Sequence, residues 1–108
     1  LRLVGPIEDE FKEYVEKFFA RNPNLKGRVK FVGPVYDRNA LEQEYIKAKV
    51  FCLPSAWEGF ALTSIEALSK GCFILGSDID SNKEVTQDGK MGLLFENGNL
   101  DDFAEKMK

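Results

Sequence analysis

The sequence predicts an α/β fold in which helices cover both faces of a parallel sheet of about five strands. Short apolar runs alternate along the chain with segments of helical spacing, which is typical of βαβ units. These runs are continuously apolar, as expected for strands that are covered on both faces. The 108 residues suffice for one domain with a hydrophobic core. We therefore expect a Rossmann-like, doubly wound domain.

Five strands are predicted from runs rich in β-branched, aromatic and other apolar residues. They cover Leu1–Val4, Val29–Val32, Val50–Leu53, Cys72–Leu75 and Leu93–Phe95. A glycine or a proline directly follows each of the first four runs, at the carboxyl ends beyond which ligands of an open parallel sheet bind.

The first two helices are predicted from apolar residues at helical spacing. The first has an i, i+3, i+4, i+7, i+8 stripe made of Phe11, Tyr14, Val15, Phe18 and Phe19. It should stop at Asn22-Pro23, because proline cannot continue a helix. The second has its apolar face on Leu41, Tyr45 and Ala48. Either Asp37 or Asn39 can cap its first turn.

Three further helices are expected later in the chain. The third should begin near Phe60 or Ala61 and end near Gly71. Its apolar residues are Ala61, Leu62, Ile65 and Leu68. A short helical turn is predicted over Lys83–Thr86, and the last helix should run from about Leu100 to the end of the chain.

Composition excludes several classes of function. The chain has no histidine, so it can supply neither imidazole catalysis nor a histidine metal ligand. A net charge of −3 argues against a nucleic-acid partner, which usually needs a basic surface. Cys52 and Cys72 lie in apolar runs and are expected to be small buried side chains in a reducing, cytoplasmic compartment. No transmembrane segment or signal peptide is predicted.

The loop after the third predicted strand is the richest in candidate functional residues. Ligands of open parallel sheets bind beyond the carboxyl ends of the strands. Gly59 permits close backbone approach, and the first amides of the following helix form an anion site suited to a diphosphate. Glu58 and Glu66 can accept hydrogen bonds from sugar and ribose hydroxyls. A simpler interpretation makes Glu58 a partner of the helix dipole and Glu66 a solvated residue, because two spaced glutamates alone are a weak pattern.

The run FCLPSAWEGFALTSIEALSKG resembles the signature of the retaining family-4 glycosyltransferases of the GT-B fold. In that signature a strand and Pro-Ser precede Glu-Gly-Phe, and a second glutamate follows the first after eight residues. The flanking runs RVKFVGPV, SNKEVTQDGKMGLLF and NGNLDDFAEKM resemble the same family, in order and with fitting spacing. The resemblance implies that residues 1–108 are a single C-terminal donor-binding domain, one half of a GT-B fold. We expect it to be truncated at both ends and to lack the N-terminal acceptor domain.

The resemblance implies transfer of a hexose-type sugar from a nucleotide-diphosphate sugar to a glycan or lipid-linked acceptor, with retention and without a metal or other cofactor. Glu58 resembles the glutamate that faces the donor sugar and is often assigned a catalytic or sugar-positioning role, and Glu66 resembles the one that holds the ribose hydroxyls. The amides expected to bind the sugar and the diphosphate are those of Gly59, Phe60, Ala61 and Leu62. Val35 would lie by the nucleobase.

Three features depart from the family pattern. Ala61 stands where glycine is most common, which narrows the approach to the diphosphate. Gly5 is followed by proline where a second glycine is common two residues later, so the role of the first loop stays open. Nothing matches the arginine and lysine that bind the diphosphate in the family. We therefore expect the isolated fragment to be inactive.

Two other functions fit the pattern less well. A nucleotide-sugar epimerase of the GT-B fold would share the fold but not the spaced glutamates. A non-enzymatic regulatory α/β module, such as a receiver domain, would need acidic residues after the first strand and an aspartate after the third, where Gly5 and Pro54 stand. For the full-length protein we expect a cytoplasmic role in polysaccharide biosynthesis, and peripheral membrane attachment is compatible with it.

Overall fold

The computed structural model describes residues 1–108, in which five strands alternate with five α-helices. The strands are β1 (Arg2–Val4), β2 (Lys30–Gly33), β3 (Val50–Leu53), β4 (Phe73–Ser77) and β5 (Gly92–Phe95). The helices are α1 (Asp9–Arg21), α2 (Arg38–Lys47), α3 (Leu62–Ser69), α4 (Asp80–Thr86) and α5 (Leu100–Lys106). A 3₁₀ helix covers Pro23–Arg28 between α1 and β2. The predicted order of elements is confirmed.

The strands form two parallel sheets. Two compact units make up the chain, residues 1–41 and 42–108, with the boundary inside α2. In the first unit β1 pairs with β2, and in the second β4 lies between β3 and β5. The predicted α/β class with parallel strands is therefore confirmed, and its five strands are divided between a two-stranded and a three-stranded sheet.

In the first unit, polar side chains set the helix boundaries predicted from the sequence. The Asn22 side-chain amide donates to the Phe18 carbonyl at 2.9 Å, and Pro23 then starts the 3₁₀ helix. Asp37 is the residue that caps α2, because its carboxylate accepts the Ala40 amide at 2.8 Å. Asn39 instead lies inside that helix. None of residues 1–41 is fully buried.

The core of the second unit is centred on β4. Ile74 of this strand is completely buried, as expected for the middle strand of a sheet covered on both faces. Leu75 of the same strand is also buried, and side chains from outside β4 complete the core, namely Tyr45, Ala61, Ala67, Cys72 and Phe95. The Phe95 ring packs edge-on against Phe103 at 4.9 Å between ring centroids, which fixes α5 against β5.

Two helix boundaries differ from the prediction. Helix α3 begins at Leu62, slightly later than expected. Helix α4 begins at Asp80, three residues before the predicted Lys83. Asp80 lies in the first turn of α4, where its negative charge interacts favourably with the positive amino end of the helix dipole. Because residues 80–82 are polar, the apolar spacing used for the prediction did not indicate that they belong to the helix.

Of the two cysteines predicted to be buried, Cys72 is buried and Cys52 is only half-buried. The Cys72 side chain is 3% exposed, and its thiol donates to the Tyr45 carbonyl at 3.1 Å. Burial raises the pKa of Cys72 and of Cys52, so both favour the thiol over the reactive thiolate. Neither forms a disulfide. None of the five α-helices combines the length and the apolar character that a membrane-spanning helix needs.

Gly92 determines how closely β5 approaches β4. A Cβ atom at this position would lie 2.6 Å from the Ile74 carbonyl oxygen and 3.1 Å from the Thr86 methyl group. We therefore expect Gly92→Ala to reduce the free energy of unfolding by about 1–3 kcal/mol, as overpacking in a core does. Urea denaturation measures the change.

Gly27→Ala is the matched control for this prediction. A Cβ at Gly27 meets nothing within 4 Å, and its φ is not in the left-handed region. Its free energy of unfolding should change by less than about 1 kcal/mol. Equal reductions in the free energy of unfolding in the two variants would show that the close approach of β5 to β4 at Gly92 is not the cause of the destabilisation.

Candidate functional site

The carboxyl ends of β3, β4 and β5 lie at one edge of the three-stranded sheet, because all three strands are parallel. The loops that follow them cover residues 54–61, 78–79 and 96–99. Ligands of open parallel sheets bind at this edge. The predicted residues Glu58, Gly59, Phe60 and Ala61 all lie in the first of these loops, and Leu62 and Glu66 lie on the helix that follows it.

Side-chain hydrogen bonds join the three loops to one another. The Ser77 hydroxyl at the end of β4 donates to the Ser55 carbonyl in the loop after β3. The Asn97 side-chain amide, in the loop after β5, donates to the Ala56 carbonyl at 3.1 Å. The Asp78 carboxylate accepts the Asn97 backbone amide at 2.9 Å. These bonds hold the loop that contains Glu58 from two sides.

The loop after β5 is itself held by charge-assisted bonds. The Asp102 carboxylate accepts the Glu96 amide at 2.7 Å and the Lys106 ammonium at 2.8 Å. The Lys106 ammonium, and after it the Glu96 amide, holds the pKa of Asp102 below its usual range. Asn99 caps α5 by accepting the Asp102 amide at 3.0 Å. The loop that carries Asn97 is therefore fixed by the start of α5.

Glu58 is half-buried in the loop, and its orientation is set by a neighbour in the chain. Its Oε1 atom accepts a hydrogen bond from the Ser55 hydroxyl at 2.8 Å. A carboxylate that is held in this way can face a ligand in one defined orientation, with its second oxygen available as an acceptor. Ser55 itself was not predicted as a site residue. The feature of the sequence that could have indicated Ser55 is its position directly after Pro54, at the carboxyl end of a strand.

The amino end of α3 presents backbone amides that lack partners in the protein. Ala61 has φ −80° and ψ 59°, the geometry of an inverse γ-turn, and the Leu62 amide donates to the Phe60 carbonyl at 2.9 Å. This turn delays the start of the helix relative to the prediction. It also engages the Leu62 amide, whereas the amides of Gly59, Phe60, Ala61 and Thr63 donate to no protein acceptor. Thr63 was missing from the predicted set.

Large apolar side chains surround these amides without being buried. Trp57 is 82% exposed, Phe60 is 56% exposed and Leu62 is 57% exposed. Ala61, by contrast, is 1% exposed and anchors the turn in the core. The two aromatic residues of the loop are therefore surface residues at the rim of the candidate site, and not core residues.

Glu66 lies on α3 and is half-buried. The Tyr45 hydroxyl, from α2, is one of its partners and donates to Glu66 Oε2 at 3.3 Å. Glu66 is therefore more than a solvated residue at the edge of the helix. Val35, the remaining predicted residue, is half-buried in the loop after β2 and belongs to the first unit. Its predicted role beside a nucleobase stays a prediction.

This arrangement suits an anionic ligand that also carries hydroxyl groups. Amides at a helix start bind phosphate through direct hydrogen bonds and through the positive end of the helix dipole. Carboxylates such as Glu58 and Glu66 accept hydrogen bonds from hydroxyl groups. No group of three acidic, cysteine or histidine side chains is placed to hold a metal ion.

Comparison with known proteins places the chain in a family. The model of the glycosyl transferases group 1 family matches residues 1–108. The chain belongs to this family. The resemblance to glycosyltransferases that the sequence indicated is therefore confirmed at the level of this group.

Relatives of this glycosyl transferase chain act on different sugars. It is 32% identical over 91 residues to the lipopolysaccharide core biosynthesis mannosyltransferase LpsB of Rhizobium meliloti, covering 82% of this chain and 24% of that protein. It is 35% identical over 84 residues to UDP-Gal:alpha-D-GlcNAc-diphosphoundecaprenol alpha-1,3-galactosyltransferase of Escherichia coli, covering 78% of this chain and 21% of that protein. The chain thus spans about a quarter of the length of these relatives.

A solved structure confirms the fold class. Sucrose-phosphate synthase from Thermosynechococcus elongatus, a GT-B enzyme, matches with a TM-score of 0.81 and 28% identity. The match covers 99% of this chain and 28% of that one. The parallel α/β fold of this glycosyl transferase chain therefore matches that of part of a GT-B enzyme.

In this glycosyl transferase chain, Asp78 should control the local stability of the loop after β5. Asp78→Ala removes the acceptor of the Asn97 amide. We expect hydrogen exchange of that amide to accelerate about tenfold, which corresponds to the loss of about 1.4 kcal/mol in local stability. Exchange followed by NMR measures the effect. Glu105→Ala, an exposed change on α5, should leave the exchange rate unaltered, and equal acceleration in both would contradict the prediction.

Proposed function

We propose that this chain binds the nucleotide-sugar donor of a retaining glycosyltransferase of family 4. The observation that carries the proposal is the group of unpartnered amides at the start of α3 next to the half-buried Glu58 carboxylate, which Ser55 orients. The amides can donate hydrogen bonds to a diphosphate, and the Glu58 carboxylate can accept hydrogen bonds from the hydroxyl groups of the sugar attached to it. The reaction is transfer of a hexose-type sugar to a glycan or lipid-linked acceptor.

The chemistry of the step follows from where negative charge develops. As the bond between the sugar and the diphosphate breaks, charge accumulates on the departing nucleoside diphosphate. The amides of Gly59, Phe60, Ala61 and Thr63 are available to stabilise that charge, because they are already oriented and need no reorganisation. Glu58 positions the sugar and stabilises the positive charge that its ring acquires. The chain supplies these functions without a metal ion.

The names of the relatives support the sugar and acceptor classes. One relative is a mannosyltransferase of lipopolysaccharide core biosynthesis, and another transfers from UDP-Gal to a diphosphoundecaprenol-linked sugar. Both names describe hexose transfer, in lipopolysaccharide core biosynthesis in one case and to a diphosphoundecaprenol-linked sugar in the other. Since the chain spans about a quarter of each relative, we assign transfer to the full-length protein and donor binding to this part of it.

Glu66 should bind the ribose of the donor through its hydroxyl pair. In titrations with UDP and GDP, amide shifts should concentrate at residues 59–63, and Glu66→Ala should weaken binding about tenfold, the equivalent of one hydrogen bond to a charged group. A 2′-deoxy nucleotide lacks one of the two ribose hydroxyls, so a comparison with UDP isolates the contact between Glu66 and the ribose. Wild-type protein should bind 2′-deoxy-UDP more weakly than UDP, and Glu66→Ala should bind the two equally.

The control for Glu66 is Glu84→Ala, which removes an exposed glutamate from α4. It should bind both nucleotides as the wild-type protein does. Amide shifts confined to other parts of the chain would contradict the site. If Glu66→Ala still preferred UDP over 2′-deoxy-UDP as strongly as the wild-type protein does, Glu66 would not be a ribose-binding residue.

Glu58 should affect turnover more than donor binding. Glu58→Gln keeps the shape of the side chain but removes its charge, so we expect kcat of the full-length protein to fall about 100-fold. The affinity for UDP should stay within about threefold of wild type, because the nucleotide contacts lie elsewhere. Release of UDP or GDP from UDP-galactose and GDP-mannose measures turnover. Glu84→Gln is the control for the same chemical change, and wild-type kinetics in both variants would make Glu58 a structural residue.

A further inference from the structure

A fully buried asparagine lies behind the candidate site. Asn82 of α4 has no solvent exposure, and its Nδ2 atom donates to the Ser77 carbonyl at 2.9 Å and to the Ser77 hydroxyl at 3.3 Å. The carbonyl can only accept, so it fixes which end of the amide faces β4. The orientation of Asn82 is therefore determined by the end of this strand.

Ser77 passes this constraint on to the loop after β3. Its side chain is completely buried, and its single hydroxyl proton is donated to the Ser55 carbonyl. The same hydroxyl oxygen accepts from Asn82. A hydroxyl that accepts on one side and donates on the other has little rotational freedom. The position of the Ser55 backbone is thus set by β4 and α4.

Ser55 connects this chain of bonds to the candidate catalytic group. Its carbonyl is held by Ser77, and its hydroxyl donates to Glu58 Oε1 at 2.8 Å. The continuous path is Asn82, Ser77, Ser55, Glu58. We name these four residues the polar relay. It joins α4, the end of β4 and the loop after β3.

Asn82 is held against the backbone of β4 with no spare room. A Cβ atom on Gly76 would lie 2.9 Å from Asn82 Nδ2 and 3.0 Å from its Cγ. The Asn82 Oδ1 atom, moreover, is buried and has no protein partner. An unpaired buried acceptor destabilises a core, so an apolar side chain would serve packing better than asparagine does. The presence of an amide at this position favours a role in orienting its partners.

From these observations we infer that Asn82 and Ser77 are positioning residues that hold the Glu58 carboxylate in its working orientation through Ser55. This inference rests on the proposed function, since it concerns how the same site acts on the donor sugar. A displacement of a catalytic group by about 1 Å can lower the rate of a reaction by about 100-fold. Loss of one member of the polar relay should therefore lower turnover without weakening the nucleotide contacts.

The test is made in the full-length protein with Ser77→Ala, which removes the hydroxyl but keeps the carbonyl that Asn82 binds. We expect kcat with UDP-galactose or GDP-mannose to fall about tenfold, with KM and the affinity for UDP within about twofold of wild type. Gly76→Ala should act in the same direction by displacing the Asn82 amide. Ser55→Ala replaces Ser77→Ala if that variant does not fold.

Two controls separate positioning from general loss of stability. Ser64→Ala makes the same chemical change at a completely buried serine whose hydroxyl has no partner. Thr86→Val removes a buried hydroxyl that donates to the Asn82 backbone carbonyl at 2.7 Å and leaves the polar relay intact. Both should keep kcat within about twofold of wild type, even where Thr86→Val lowers Tm.

The decisive readout is the double variant with Glu58→Gln. If Ser77 acts through Glu58, Ser77→Ala should lower kcat no further once Glu58 is glutamine, because the two changes then affect one step. An equal fall in both backgrounds would overturn the inference. So would a fall in kcat that follows Tm across Ser77→Ala and Thr86→Val alike.

A measurement without turnover distinguishes this inference from the proposed function. The side-chain ¹³C resonance of the Glu58 carboxyl should shift or broaden in Ser77→Ala and not in Ser64→Ala. Absence of any binding of UDP or GDP to wild-type protein would refute the proposed function. An unchanged Glu58 resonance in Ser77→Ala would refute the positioning role, whether or not nucleotide binds.

Discussion

The hydrogen bond from the Ser77 hydroxyl to the Ser55 carbonyl is the constraint on which the functional edge of the second unit depends. Where parallel strands end, their backbone groups lose the partners that the sheet provides, and side chains must supply them. Ser77 does this for the loop after β3, and Asp78 does it for the loop after β5. Ser77 is the last residue of the central strand β4 and Asp78 follows it directly, so the buried strand that forms the core also fixes the loops of the candidate site.

Much of this fold could be predicted from the sequence, because its elements are marked by local signals. The run Val50–Leu53 is apolar and is followed by proline, and the strand covers the same residues. Asn22-Pro23 ends α1 because a proline and a side-chain cap act within one turn of chain. Family membership could be predicted for another reason. Many short motifs recur in order over the whole chain, and that order is far more specific than the two glutamates taken alone.

The parts that could not be predicted depend on contacts between distant segments. Ser77 and Ser55 are 22 residues apart, and a serine at the end of a strand is too common to indicate a partner. The sequence does not indicate that Asn82 is completely buried, which only the packed structure shows. The start of α3 was placed too early, since the turn at Ala61 depends on anchoring that side chain in the core.

The close fit of Asn82 against Gly76 has a consequence for transplanting this site into another protein. A graft of residues 54–66 alone would carry Glu58, Ser55 and the amides but would leave behind Ser77 and Asn82, which hold the Ser55 backbone. The recipient would need a strand ending in glycine and serine, and an asparagine five residues after that serine in a following helix. The residues that must be transferred are therefore not contiguous in sequence. An exchange of loops between α/β proteins should preserve the orientation of Glu58 only when the end of β4 and the start of α4 are transferred together with the loop after β3.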